Sequence, residues 1–157
     1  MSFFPGRKKA MAVIRGGPLA PEIRGRVFFT EVTGGTRVST RVVGLPDYQP
    51  PAADKTQIGP HGFHLHEQGT CKIGNPKNPF QAAGGHWAPN GQPHGNHAGD
   101  FPVLFSHKGR AIMEFFTNRF TPAEIINLSV IIHEEPDDYQ TQPDGGAGRR
   151  LACGVIQ

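Results

Sequence analysis

The chain has 157 residues, 36% hydrophobic and 18% charged, proportions that fit one folded domain and exclude a disordered chain. Its 21 glycines and 15 prolines, about twice the usual share of roughly 12%, interrupt the backbone too often for long helices. The net charge of +3 comes from scattered lysines and arginines, with no basic helix and no aromatic RNA-binding signature, so nucleic acid is not expected as a partner.

In chain order, Arg7-Lys8-Lys9 precede only Ala10 to Ile14 before Arg15, too short for the apolar region of a secretory signal. Residues 1–9 read as a flexible lead into a single domain covering 1–157. The cytoplasm is the expected compartment if no signal existed, and the periplasm or exterior if one was removed. Strand patterns run over about Ala10 to Arg15, Glu22 to Val32, Ala111 to Thr117, Asn127 to His133 and Leu151 to Ile156. Between positions 37 and 42, Val38, Thr40 and Val42 alternate with Arg37, Ser39 and Arg41, as in a half-buried antiparallel strand. Short strands so spaced predict an all-β sandwich or barrel. The stretch from Asp47 to Pro60 is long for a strand connection and has no assignable role. From Gly69 to Pro102 no period survives, which predicts a long irregular loop needing an anchor. Thr121, Pro122 and Glu124 resemble a capping box with proline at the first helical position, sufficient for one helical turn. No apolar run reaches the roughly 18 residues of a membrane-spanning helix.

Six of the eight histidines, His61, His64, His66, His86, His94 and His97, fall between positions 61 and 97. In Gly62-Phe63-His64-Leu65-His66 the two histidines share one strand face and can converge on one ion, while Phe63 and Leu65 anchor the other face in the core. His86, His94, His97 and Asp100 form a suitable tetrahedral zinc set. Such a filled site would be structural and would supply the missing anchor. His64, His66 and the distant His133 remain for a second ion. His86 can supply a nitrogen to each metal, because imidazole has two. An all-nitrogen tetragonal site points to copper.

These motifs resemble one family. Gly62-Phe63-His64-Leu65-His66-Glu67, Gly84-Gly85-His86, His94-Gly95, His97-Ala98-Gly99-Asp100, Val130-Ile131-Ile132-His133-Glu134 and Gly148-Arg149-Arg150-Leu151-Ala152-Cys153-Gly154-Val155-Ile156 resemble the copper/zinc superoxide dismutases, in the same order and especially their bacterial branch. The resemblance implies an eight-stranded Greek-key β-barrel whose two long loops hold the metals. By position it implies His64, His66, His86 and His133 as copper ligands and His86, His94, His97 and Asp100 as zinc ligands. Asp137 matches a carboxylate that links His64 to His94, and His61 matches a buried histidine that pins backbone. Glu134, Glu135 and Asp138 read as a solvated acidic run. The resemblance pairs Cys71 with Cys153.

The implied activity is disproportionation of superoxide by copper redox cycling, with His86 as both ligand and proton donor. Arg150 matches the arginine that holds the anionic substrate beside copper, and Arg149 reads as an exposed charge. Five acids and no base between 134 and 144 make local steering of an anion less obvious than the net charge suggests. A homodimer and a copper-delivery partner are expected from the family. Two other classes share parts of the pattern: a non-enzymatic copper- and zinc-binding relative, and a zinc hydrolase built on His64, His66 and His133.

Overall fold

Wherever apolar and polar residues alternate along this chain, the backbone is extended and paired. The computed structural model describes residues 6–157, in seven strands: β1 (Lys9–Gly16), β2 (Arg24–Val32), β3 (Gly35–Val43), β4 (Phe63–His66), β5 (Ala111–Thr117), β6 (Ser129–His133) and β7 (Arg150–Val155). The only helical element among the described residues is one 3-10 turn at Gln81–Ala83. Residues 1–5 of the expected flexible lead lie outside the described residues. At its other end the expectation needs correcting, since Lys9 already pairs with Thr30 and the Lys8 amide donates to Glu31. The strand expected from Asn127 starts instead at Ser129, because Asn127 takes a left-handed φ of 64° and closes a turn. At Thr121 the capping box stands, with the amide and hydroxyl both donating to the Glu124 carboxylate, and only a turn follows it.

All seven strands are antiparallel, in the order β4-β6-β7-β1-β2-β3-β5. Ala12, Ile14, Val27, Phe29, Val38, Val42 and Ala111 point from β1, β2, β3 and β5 into one core, meeting Phe63, Leu65, Val130, Ile132 and Leu151 from the other strands. β1 pairs with β7 at Arg15 with Cys153 and Gly16 with Ala152, and pairing resumes past the end of β7 at a bridge between Ala12 and Ile156. The two free edges, β4 and β5, are joined by the segment after the long loop. That segment bridges His61 at Leu104, then turns through a His107–Arg110 bridge directly into β5. It occupies the place of an eighth strand and closes the sheet on itself as a barrel.

The stretch 47–60 folds back on itself through bridges between Gln49 and Ile58 and between Ala52 and Lys55. The long loop is clamped to β7 by the Cys71–Cys153 disulfide, with a Cα separation of 5.6 Å. Beneath the clamp, Phe80, Ala83, Ile131 and Cys153 form a second small apolar cluster. The loop's far end runs back along β4, where the Trp87 amide donates to Leu65 and the Leu65 amide donates to Gly99.

Candidate metal centre

The alternation of β4 assigns its side chains to two jobs. Phe63 and Leu65 enter the barrel core, while His64 and His66 face the loops, and all four are buried. Beside β4, β6 ends in His133, and a bridge between His66 and His86 brings the long loop over this face. His64, His66, His86 and His133 each offer a ligand atom within 4.8 Å of one another. His86, His94, His97 and Asp100 form a second such group that shares His86.

Hydrogen bonds to one ring nitrogen decide which nitrogen of each imidazole keeps a lone pair. His64 donates from Nε2 to Asp137 Oδ2 at 2.7 Å, and His94 donates from Nε2 to Asp137 Oδ1 at 2.8 Å. Their Nδ1 atoms are left buried without a hydrogen-bond partner, as is His86 Nε2. His66 donates from Nδ1 to Gly84 O at 3.0 Å and His133 from Nδ1 to Gly148 O at 3.2 Å. Their Nε2 atoms then face each other at 3.4 Å, two lone pairs at a separation that a shared cation would relieve. In the second group Asp100 Oδ1 lies 3.0 Å from His86 Nδ1 and 3.2 Å from His97 Nδ1, and Asp100 Oδ2 lies 3.3 Å from His94 Nδ1. Buried, oriented ring nitrogens converging on one place fit cations. The first set, all nitrogen, suits copper, and the second, three nitrogens and a carboxylate, suits zinc.

Burial keeps His64, His66 and His133 unprotonated. Desolvation, reinforced by the neighbouring histidines, holds His64 and His66 well below the ordinary histidine pKa and takes His133 to about 3. Burial works against the Asp100 carboxylate, but the hydrogen bond with His86 and the nearby His94 and His97 outweigh it, so its pKa is lowered.

Arg150, half-buried at the start of β7, donates from Nη1 to Phe80 O at 2.8 Å and from Nη2 to Gly84 O at 2.7 Å. Gly84 O therefore orients both His66 and the guanidinium. The charge of Arg150 lowers the pKa of both His66 and His133, which places it at the first group. Arg149 points elsewhere and grips Glu134 through two hydrogen bonds of 2.8 and 2.7 Å. Glu134 departs from its sequence reading, being buried rather than solvated, whereas Arg149 is the exposed charge expected and pairs with it. Asp138 is exposed, as expected, and accepts from the amides of Gln140 and Thr141. His61, buried, donates to the His133 carbonyl at 2.8 Å and fixes the backbone of a candidate ligand.

Sequence reasoning missed several supports. Gly145, at φ 71°, packs so tightly that an added Cβ would sit 2.0 Å from Asp137 Oδ1 and 2.5 Å from His94 Nε2. The Asp144-Gly145-Gly146 turn was the available signal. The Tyr139 amide donates to Asp137 Oδ1 at 2.6 Å, and its hydroxyl donates to Phe101 O at 3.0 Å. Arg119 donates to the His97 carbonyl at 3.0 Å and to the Asn96 side chain, tying the loop to the end of β5. Those two contacts carry no signature in the sequence.

A closed antiparallel barrel with a paired histidine centre on its outer face defines a β-barrel metalloprotein with two adjoining sites. The copper/zinc superoxide dismutase (SODC) family model matches residues 23–156. Relatives include a Cu-Zn superoxide dismutase of Deinococcus radiodurans, 36% identical over 153 residues and covering 87% of this chain and 78% of the relative. One from Legionella pneumophila is 35% identical over 87% of this chain and 80% of its own length. Another, from Photobacterium leiognathi, is 38% identical over 70% of each. The chain belongs to the copper/zinc superoxide dismutase family.

Proposed function

We propose that this single domain disproportionates superoxide at a copper held by His64, His66, His86 and His133, beside a structural zinc held by His86, His94, His97 and Asp100. The observation that carries this reading is the pair of ligand groups meeting at one imidazole, His86, with nitrogens left free on the rings around it. Bound copper supplies one-electron redox chemistry, taking an electron from one superoxide and returning it to another, which zinc cannot do. The hydrolase reading is disfavoured by the same geometry, because a fourth nitrogen fills the set that a water-activating zinc would leave open.

The protein's own groups have separate tasks. His86 Nε2 is the atom at which the chain can hold a proton on its way to reduced substrate. Arg150, fixed by two carbonyls, offers its remaining N–H groups and its charge to an anion at the copper side. Asp137 keeps His64 and His94 in the tautomers that ligation needs. Cys71 and Cys153 hold the loop that carries Gly84 and His86 against β7, and a structural disulfide supports the reading of an oxidising compartment. No helix is long and apolar enough to cross a membrane among the described residues. A homodimer and a copper-delivery partner belong to the same reading, the first open to sedimentation analysis.

Superoxide turnover of protein reconstituted with copper and zinc, against protein given zinc alone, tests the assignment. Activity with both metals and none with zinc alone is expected. Full copper binding without turnover would identify a metal-binding relative instead.

A further inference from the structure

Away from the histidine centre, the outward face of β1, β2, β3 and β5 breaks a pairing rule. Register sets Arg26 directly opposite Arg41, and Arg15 directly opposite Arg24. Like charges facing each other across strands destabilise a sheet. With Arg110 these four line an open depression of about 560 Å³ whose walls contain no acid. One ion pair on this outward face, Arg37 with Glu114, lies farther along β3 and β5 and outside the depression, and among the described residues none of the five arginines is ion-paired.

The row through Arg26 and Arg41 begins at Val13 on β1 and ends at Ile112 on β5. Ile112 is 77% exposed, Val13 41% and, on the same outward face of β2, Phe28 is 40%. Cations therefore alternate with unburied aliphatic and aromatic tips on one sheet face. Arrangements that cost fold stability without a compensating contact mark function. A second copy of this chain does not fit, because a two-fold contact would set the arginines against themselves. A purely ionic polymer would use the guanidinium groups and leave the apolar tips in water. An anionic phospholipid surface uses both, with phosphates at the arginines and the apolar tips at the edge of the acyl region.

We propose that this sheet face docks the protein onto anionic phospholipid membranes, leaving the metal-bearing loops, which sit on β4, β6 and β7, directed away from the contact.

The test is co-sedimentation of the metal-loaded protein with phosphatidylcholine vesicles, with and without phosphatidylglycerol, at several salt concentrations. Comparison proteins are the Arg26→Gln/Arg41→Gln variant and a Lys72→Gln/Lys77→Gln control with the same loss of net charge. Binding should require phosphatidylglycerol, weaken with salt and fall about 25-fold in the arginine variant, from roughly 1 kcal/mol per basic residue at an anionic surface and 1.4 kcal/mol per tenfold. The lysine control should bind like the parent. The arginine variant should keep its superoxide turnover and melt no lower than the parent, since a like-charge pair has gone. Absence of phosphatidylglycerol-dependent binding overturns the proposal, as does equal weakening by both variants. Retention on a sulfated polysaccharide or on duplex DNA without vesicle binding would reassign the face to a polymer.

Discussion

Replacing Asp137 by asparagine should damage the two metal sites unequally. Oδ1 receives both the Tyr139 amide, at 2.6 Å, and His94 Nε2, at 2.8 Å, whereas Oδ2 receives only His64 Nε2, at 2.7 Å. An amide has one acceptor oxygen, and two donors hold it at the Oδ1 position, so its NH2 group faces His64. His64 then has two poor options. It can keep Nε2–H against another donor, at about 1–3 kcal/mol for a buried unsatisfied group, or move the proton to Nδ1 and cover the nitrogen meant for copper. Loss of an orienting partner behind a metal-bound histidine costs about 10–100-fold in affinity. For Asp137→Asn that loss should fall on copper, with zinc affinity changed much less. Competition against chromophoric chelators, run separately for each metal, measures both. Equal losses, or a larger loss of zinc, would refute the asymmetry and the tautomers behind it.

Arg150→Ala should retain both metals yet turn over superoxide more slowly and with a shallower salt dependence, while Arg149→Ala, which frees only Glu134, should change activity far less. Similar activities in the two variants, by pulse radiolysis, would remove the anion-holding role. Opening the Cys71–Cys153 bond frees a loop of about 83 residues and should cost about 4.5 kcal/mol, or roughly 9–18 °C in Tm, by calorimetry of oxidised and reduced metal-free protein. No change in Tm would contradict a clamp of this kind. In metal-free protein, His133 is buried with its pKa lowered to about 3, while the unfolded chain binds a proton near 6.5. Stability is therefore full above about pH 6.5 and falls toward pH 3 at up to about 1.4 kcal/mol per pH unit for each such histidine, with His64 and His66 adding in the same direction. A Tm of the apoprotein that is flat between pH 7 and 5 would contradict this.

The two histidine groups of the candidate metal centre were legible in the sequence because their chemistry is dense and their spacing regular. His64 and His66 announce themselves by strand alternation, and the glycines around His86, His94 and His97 mark a loop bent to bring side chains together. The strands were legible through Val38, Thr40 and Val42, whose alternation survives intact in β3. Closure of the barrel was not, because the segment through Leu104 pairs through isolated bridges and has no alternating pattern of its own. Nor was the fate of Glu134. A carboxylate in an acidic run looks solvated until the β6–β7 pairing brings Arg149 beside it. Carbonyl acceptors such as Gly84 O are invisible for a different reason, since every residue has one and only the fold decides which is used.

On the proposed function, two different metals share the His86 ring. Crystals of the copper- and zinc-loaded protein, with anomalous maps collected at both absorption edges, test it most directly. Two peaks are expected on opposite sides of His86, copper among His64, His66 and His133, and zinc among His94, His97 and Asp100. A single peak, or zinc alone in both groups after loading with both metals, would contradict it.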